Sequence, residues 1–225
     1  MTSGPGRRPV ARPALKGLLL LLSASLLVLA FAVIGDEATE GETRGFDTTL
    51  LHHAQALRVL HPQLADALRD LSGLGSTSVL TLFTLLTVSY LLMLARRRTA
   101  VLVTVLVLVG TALVSVFKLS FGRLRPDAAF ADFVVPGLSF PSGHATMSAI
   151  VYLTLGALVA STRTLARERV FILATAVAMT LLVGLSRVLL GLHWATDVVG
   201  GWAFGAAWSA MGLVFNRWWT DDAGP

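Results

Sequence analysis

Few residues in this chain can do chemistry, and they fall in three short blocks. Lys118 is followed by Arg125 and Pro126 after six intervening residues; Pro141, Ser142, Gly143 and His144 are contiguous; Ser186 and Arg187 precede His193, with Asp197 four residues further on. Lys118, Arg125 and Arg187 are three fixed cations, and the planar arginine fork suits phosphate oxygens. Ser142 and Gly143 stand where a helix begins, so free backbone N–H groups and the positive helix end would face an anion, and glycine lets that anion approach closely. His193 and Asp197 share one helical face. A carboxylate behind an imidazole fixes its tautomer and stabilises the imidazolium, leaving the other nitrogen free to attack or to transfer a proton. His144 is a second imidazole, available as general acid. Singly, each has a plainer reading: Lys118 as a snorkelling lysine, Ser142 as a helix N-cap, Arg125 as a loop cation, His193 as an interfacial histidine. Only their co-location speaks for chemistry.

The elements that would position them are membrane helices. The chain has 225 residues, 55% hydrophobic and 14% charged, with Gly 20 and Cys 0. A soluble domain carries about 25% charged residues. The composition excludes disorder and a disulfide-stapled module, and the lack of cysteine removes cysteine phosphatases and thiol metal sites. Crossing a bilayer takes about 20 apolar residues, and six blocks qualify: approximately 17–34, 76–95, 99–117, 145–162, 170–186 and 198–216. The expected fold is all-α, a polytopic membrane protein with six transmembrane helices. It forms a single membrane domain over 1–225, with 1–14 and 218–225 as flexible tails.

Basic residues set the direction. Arg7, Arg8, Arg12 and Lys16 precede the first block, Arg96, Arg97 and Arg98 follow the second, Arg163, Arg167 and Arg169 follow the fourth, and Arg217 follows the sixth. These are alternate connections, so the positive-inside rule puts both termini in the cytoplasm of a cell membrane protein. The cytoplasmic parts hold 11 basic and 3 acidic residues, net +8; the outer parts hold 7 basic and 10 acidic, net −3. The overall +5 therefore reports topology, and no nucleic-acid partner is expected. Parity alone brings Lys118 with Arg125, the 141–144 block, Arg187, and His193 with Asp197 to the outer face.

Between the first two blocks, Phe46, Leu50, Ala54, Leu57, His61, Leu64, Leu68 and Leu71 recur every three or four residues, an amphipathic stripe on the outer surface that Pro62 should split. His52, His53 and His61 lack a completing carboxylate or cysteine set, and adjacent histidines point to different faces; no metal site is expected. Gly201 and Gly205, with Ala203, Ala206 and Ala207, suit close packing inside the helix set better than dimerisation. Trp194, Trp202, Trp208, Trp218 and Trp219 include interfacial anchors. Arg7 and Arg8 ahead of the first block, with Ala30-Phe31-Ala32, also allow a cleaved signal segment, although the uncharged run is long for one.

The three blocks together resemble, in order and spacing, the tripartite signature of the type 2 phosphatidic acid phosphatase superfamily, the integral-membrane lipid phosphate phosphatases. The signature runs from Lys118 to Asp197 with no departure at a signature position. The resemblance implies that His193 is the nucleophile taking the phosphoryl group, with Asp197 as its partner, and that His144 protonates the leaving oxygen. It further implies that Lys118, Arg125, Ser142, Gly143 and Arg187 hold the phosphate, and that neither metal nor other cofactor is required. The expected reaction is in-line transfer to His193, giving a phosphohistidine that water then hydrolyses, with a bell-shaped pH profile.

Vanadium haloperoxidases share this oxyanion pattern but are soluble. A lipid phosphotransferase using the same intermediate, or a non-catalytic anion-binding membrane protein, are the alternatives. The partners implied are a lipid phosphate and the surrounding lipids; oligomeric state is not legible. Polyprenyl diphosphate such as undecaprenyl diphosphate, phosphatidic acid, phosphatidylglycerophosphate and a phosphorylated glycolipid are the candidate substrates. The compact chain favours the first slightly.

Overall fold

The computed structural model describes residues 12–221. Residues 1–11 and 222–225, which include most of the expected tails, lie outside it; within the expected tail ranges, helix already begins at Arg12 and continues to Asp221. Among the described residues the chain is all-helical. α1 (Arg12–Glu40) is followed by α2 (Arg44–Leu60), α3 (Pro62–Gly73), α4 (Thr77–Met93) and α5 (Arg97–Phe121). A long connection then leads to α6 (Gly143–Ser148), a π-helical turn (Ala149–Leu153), α7 (Thr154–Ser161), α8 (Ala166–Leu189) and α9 (Ala195–Asp221). Six stretches are long and apolar enough to cross a membrane, and the protein is a multi-pass membrane protein: Gly17–Glu40, Pro62–Met93, Arg97–Phe121, Gly143–Ser161, Ala166–Leu189 and Ala195–Asn216. The second is longer than the 76–95 block, because α3 leads into α4 through a short turn.

The segment between α1 and α4 is two helices, as the proline demands. His61 ends α2 with φ −132° and ψ 77°, and Pro62 opens α3, where its missing N–H costs nothing. The face turned inward shares only part of the expected stripe: Ala54 and Leu68 are buried, and Leu50 and Leu64 pack against the core. Asp47, Leu51 and Ala54 are buried in α2, and Ala65, Leu68 and Ser72 in α3, whereas Phe46 is 60% and Leu57 43% exposed. The cause is polar: the fully buried Asp47 accepts hydrogen bonds from α9, and satisfying that carboxylate outweighs burying Phe46. Phe46, Val59 and Leu60 remain as an outward apolar face.

α9 is the central helix, packed on α1, α5, α6, α7 and α8. Small residues let it sit close. A Cβ on Gly205 would stand 2.5 Å from the Thr146 carbonyl oxygen, and one on Gly201 would stand 2.9 Å from the Thr146 hydroxyl. The Gly-x-x-x-Gly pair is thus spent on packing inside the protein. Phe31, within the cleavage-like tripeptide, is the centre of an aromatic cluster with Phe117, Phe121, Phe140 and Phe204 at 4.9–5.9 Å. Two tryptophans tie helices through their indole N–H, Trp202 to the Thr180 carbonyl and Trp208 to that of Leu106, and Trp194 ties the turn before α9 to the Leu124 carbonyl of the connection after α5. Only Trp218 and Trp219 stand near the basic end, where Arg98 lies over the Trp219 ring and donates to its carbonyl.

Candidate active site

Each element delivers its residues to one place for a local reason. Lys118 sits in the last turn of α5, which Gly122 ends in the left-handed conformation with φ 61°, a backbone that glycine adopts freely. The chain then runs as Arg123-Leu124-Arg125-Pro126. α8 ends just after Arg187, and Gly191 (φ 71°) turns the chain into His193. Asp197 lies in the first turn of α9, where its carboxylate accepts the Trp194 N–H at 2.9 Å. A carboxylate at this position closes an orphan donor and complements the helix dipole.

His193 and Asp197 form the core of the site. Nδ1 of His193 lies 3.2 Å from Oδ2 of Asp197, and Nε2 lies 3.0 Å from Nη1 of Arg125. Arginine can only donate. Nε2 is therefore the acceptor, the ring proton sits on Nδ1 facing Asp197, and the Nε2 lone pair points toward the cation. Burial pushes the His193 pKa down to about 3, with Asp197 opposing and the charges of Arg125 and Arg187 adding to the fall. The resting imidazole is neutral. Burial also lowers the pKa of Arg125, with Asp197 opposing, from a starting value too high for it to lose its charge.

The remaining expected residues surround this pair. Arg125 also donates to the carbonyls of Gly137 and Leu192, and Lys118 Nζ donates to those of Leu138 (2.7 Å) and Ser139 (3.2 Å). The two cations thereby pin the 137–139 loop against the site. The Ser142 N–H donates to the Asp197 carbonyl, while the fully buried Ser142 hydroxyl has no partner within the protein. A Cβ on Gly143 would meet only Val114, in ordinary contact at 3.9 Å. Arg187, 4% exposed, donates Nη1 to the Ser72 hydroxyl and leaves Nε unpartnered. Lys118, Gly143 and His144 line one cavity of about 230 Å³, whose other walls, including Leu80, Val107 and Met147, come from α4, α5 and the fourth span. The unsatisfied donors at Ser142 and Arg187 are what an anion would complete.

Several polar residues of the site were not among the expected ones. Arg123 spans two carboxylates, Nη1 to Asp197 Oδ1 at 2.6 Å and Nη2 to Asp47 Oδ2 at 2.7 Å. Ser139, fully buried, donates to Asp197 Oδ2. Thr196 donates to Asp47 from both its N–H and its hydroxyl, and Ser72 holds Arg187. Arg123 carried a signal, a second outer arginine in Gly122-Arg123-Leu124-Arg125-Pro126. Asp47 and Ser72 carried none, because their partners lie far away in sequence.

Residues 98–221 match the PAP2 superfamily. Phosphatidylglycerophosphatase B of Bacillus subtilis is 34% identical over 154 residues, covering 67% of this chain and 74% of that protein. A lipid A 1-phosphatase of Rhizobium johnstonii is 37% identical over 116 residues, and the match spans 47% of this chain but only 43% of that protein. A crystal structure described as the first transmembrane PAP2-type phosphatidylglycerolphosphate phosphatase, from Bacillus subtilis, shares the fold at a TM-score of 0.79 and 23% identity, over 90% of this chain and 98% of that one. Aquifex aeolicus LpxE superposes with a TM-score of 0.58 at 24% identity, over 75% of this chain and 94% of that one. The matched residues make up more than half of the chain and contain all three blocks, and with a relative 34% identical over most of its length the chain belongs to the PAP2 superfamily.

Proposed function

We propose that the protein is a lipid phosphate phosphatase acting at the extracytoplasmic face through a phosphohistidine on His193. The observation that carries this is the orientation of the imidazole: Nδ1 toward Asp197, and the unprotonated Nε2 toward Arg125. A neutral, oriented nucleophile beside a fixed cation suits attack on a phosphoryl group. Lys118, Arg125 and Arg187, with the Ser142 hydroxyl and the amides at the start of α6, would take the equatorial oxygens, so that positioning and charge neutralisation supply most of the acceleration.

In the first step Nε2 bonds to phosphorus as the bond to the lipid oxygen breaks, and His144 gives that oxygen a proton. The imidazole, still protonated on Nδ1, becomes cationic against Asp197. Water then attacks phosphorus, losing its proton to His144, and inorganic phosphate leaves as Nε2 regains its lone pair. The cavity that starts at Lys118 and His144 and continues along Leu80 and Val107 suits a lipid whose headgroup reaches the cations while its chain stays among apolar side chains. The asymmetry of basic residues supports cytoplasmic termini and an outward-facing site.

The substrate reading follows the relatives: a glycerolipid monophosphate such as phosphatidylglycerophosphate, with a polyprenyl diphosphate or a phosphorylated glycolipid as competitors. The deciding experiment measures inorganic phosphate released in detergent, with chelator present, from phosphatidylglycerophosphate, phosphatidic acid, polyprenyl diphosphate and lipid A. The lipid products are analysed, and His193→Ala serves as control. Chelator-resistant release that vanishes in the variant supports the reading. Release that survives His193→Ala, or phosphate recovered only on an acceptor lipid, would sink it.

A further inference from the structure

We infer that Arg123 is a positioning residue of the phosphoryl-transfer centre, held by Asp47 of the outer helix α2 so that its guanidinium fixes the charge and orientation of Asp197 behind His193. The inference rests on the reading of His193 as nucleophile.

The geometry is that of a two-sided clamp. Nη1 of Arg123 meets Asp197 Oδ1 at 2.6 Å and the Thr196 hydroxyl at 2.8 Å; Nη2 meets Asp47 Oδ2 at 2.7 Å. The Arg123 side chain is 9% exposed and both carboxylates are fully buried, and the Trp194 ring lies 5.5 Å from its guanidinium carbon. None of these bonds points toward the phosphate cradle. Asp47 is itself fixed, by the Thr196 N–H at 3.0 Å, the Thr196 hydroxyl at 2.7 Å and the Thr43 hydroxyl at 3.1 Å. Arg123 can therefore neither turn away from Asp197 nor reach substrate without leaving a buried carboxylate unpaired, which is strongly unfavourable.

Charge balance gives the clamp a role beyond gluing α2 to α9. Two carboxylates and one guanidinium leave this buried cluster at net −1 while His193 is neutral. When phosphorus bonds to Nε2, the imidazole becomes +1, and the cluster becomes neutral at the moment the intermediate forms. On the other side of the ring, Arg125 of the α5–α6 connection, Arg187 of α8 and Lys118 of α5 supply positive charge that the phosphate offsets. Asp47 thus compensates Arg123, and Arg123 keeps Asp197 from drawing a proton onto the neutral imidazole of the resting site.

The test uses the full chain in detergent with phosphatidic acid as probe, following kcat, KM, the pH profile and acid-labile phosphoenzyme. Arg123→Gln removes the shield on Asp197. It should lower kcat about 10-fold or more, the scale for losing an outer-shell partner, with KM nearly unchanged. It should also move the acid limb of kcat/KM upward by about one pH unit, as Asp197 draws a proton onto His193. Asp47→Asn leaves the Arg123 charge in excess; it should lower kcat without raising that limb. Arg123→Lys restores the charge, so its limb should return toward wild type although kcat recovers only in part. Wild-type kcat and pH profile in both Asp47→Asn and Arg123→Lys would overturn the inference, even if Arg123→Gln does not fold. So would losses confined to thermal stability. A wild-type enzyme that turns over without any phosphohistidine would instead overturn the nucleophile reading.

Discussion

Arg187 Nη1 donates to the Ser72 hydroxyl at 2.7 Å across 115 residues of sequence, which makes α3 the support of a cation in the proposed phosphate cradle. Nε of the same guanidinium has no hydrogen-bond partner within the protein, so Ser72 carries much of its orientation. Ser72→Ala should raise KM for a lipid phosphate about 10-fold, the scale of a hydrogen bond to a charged group, while the melting temperature in detergent changes little. Steady-state kinetics beside a thermal melt check this; an unchanged KM would show that Arg187 is oriented without α3.

Asp197 and His144 should fail in distinguishable ways. Asp197→Asn should cut kcat about 10³–10⁴-fold, as when the carboxylate behind a catalytic imidazole is lost. His144→Ala should slow phosphoenzyme formation from an alkyl phosphate, and 4-nitrophenyl phosphate, whose leaving group needs no proton, should recover most of that step. Rapid-quench measurement of the phosphoenzyme separates the two. Equal loss with both substrates would remove His144 from the role of acid.

The pH dependence of stability has a definite sign. The folded-state pKa of His193, about 3, lies below the unfolded value of about 6.5, so between these values the unfolded chain binds the extra proton. Stability contributed by keeping this ring neutral is complete above about pH 6.5 and is lost as pH falls toward 3. Going from pH 6.5 to 5 should cost about 2 kcal/mol, at 1.36 kcal/mol per unit, and His193→Gln should flatten that slope. Melts across the pH range decide it; identical slopes in the two proteins would show that other groups govern acid sensitivity.

Gly205 tests whether the small-residue pair serves the interior. A Cβ there would meet the Thr146 carbonyl at 2.5 Å and Ala149 at 2.7 Å, and a backbone oxygen cannot swing aside. Gly205→Val should destabilise the protein by about 1–3 kcal/mol without altering its oligomeric state. Light scattering and thermal melts read both quantities; a dimer converted to monomer with an unchanged melt would point to an interface between copies.

How much of this was legible in sequence depends on the range of each interaction. The membrane helices are marked by continuous apolar runs. The site blocks were found because parity carries Lys118, His144, Arg187 and His193 to one face whatever the helix packing. The inward face of α2 was misjudged at Phe46, since periodicity ranks side chains by apolarity and Asp47 is buried by partners 149 residues away. Arg123 is not distinguishable from Arg125 in sequence for a similar reason: both are arginines of one short connection, and only the carboxylates at Asp47 and Asp197 assign them opposite sides of the imidazole. Trp194, Trp202 and Trp208 resemble interfacial anchors in composition, yet their N–H groups close gaps between segments of the chain.

The π-helical turn at Ala149–Leu153 has a consequence for the fourth span as a whole. Such a turn accommodates one extra residue in a helix, and one residue corresponds to about 100° of helical phase. The part from Gly143 to Ser148 and the part from Thr154 to Ser161 are therefore phased separately. One part is indexed to the reaction centre, the other to neighbours such as Ser209, which shares a hydrogen bond with Thr154. Substitutions that rotate or repack the Thr154–Ser161 half meet this joint before they reach His144, so the two halves of the span need not share one helical phase.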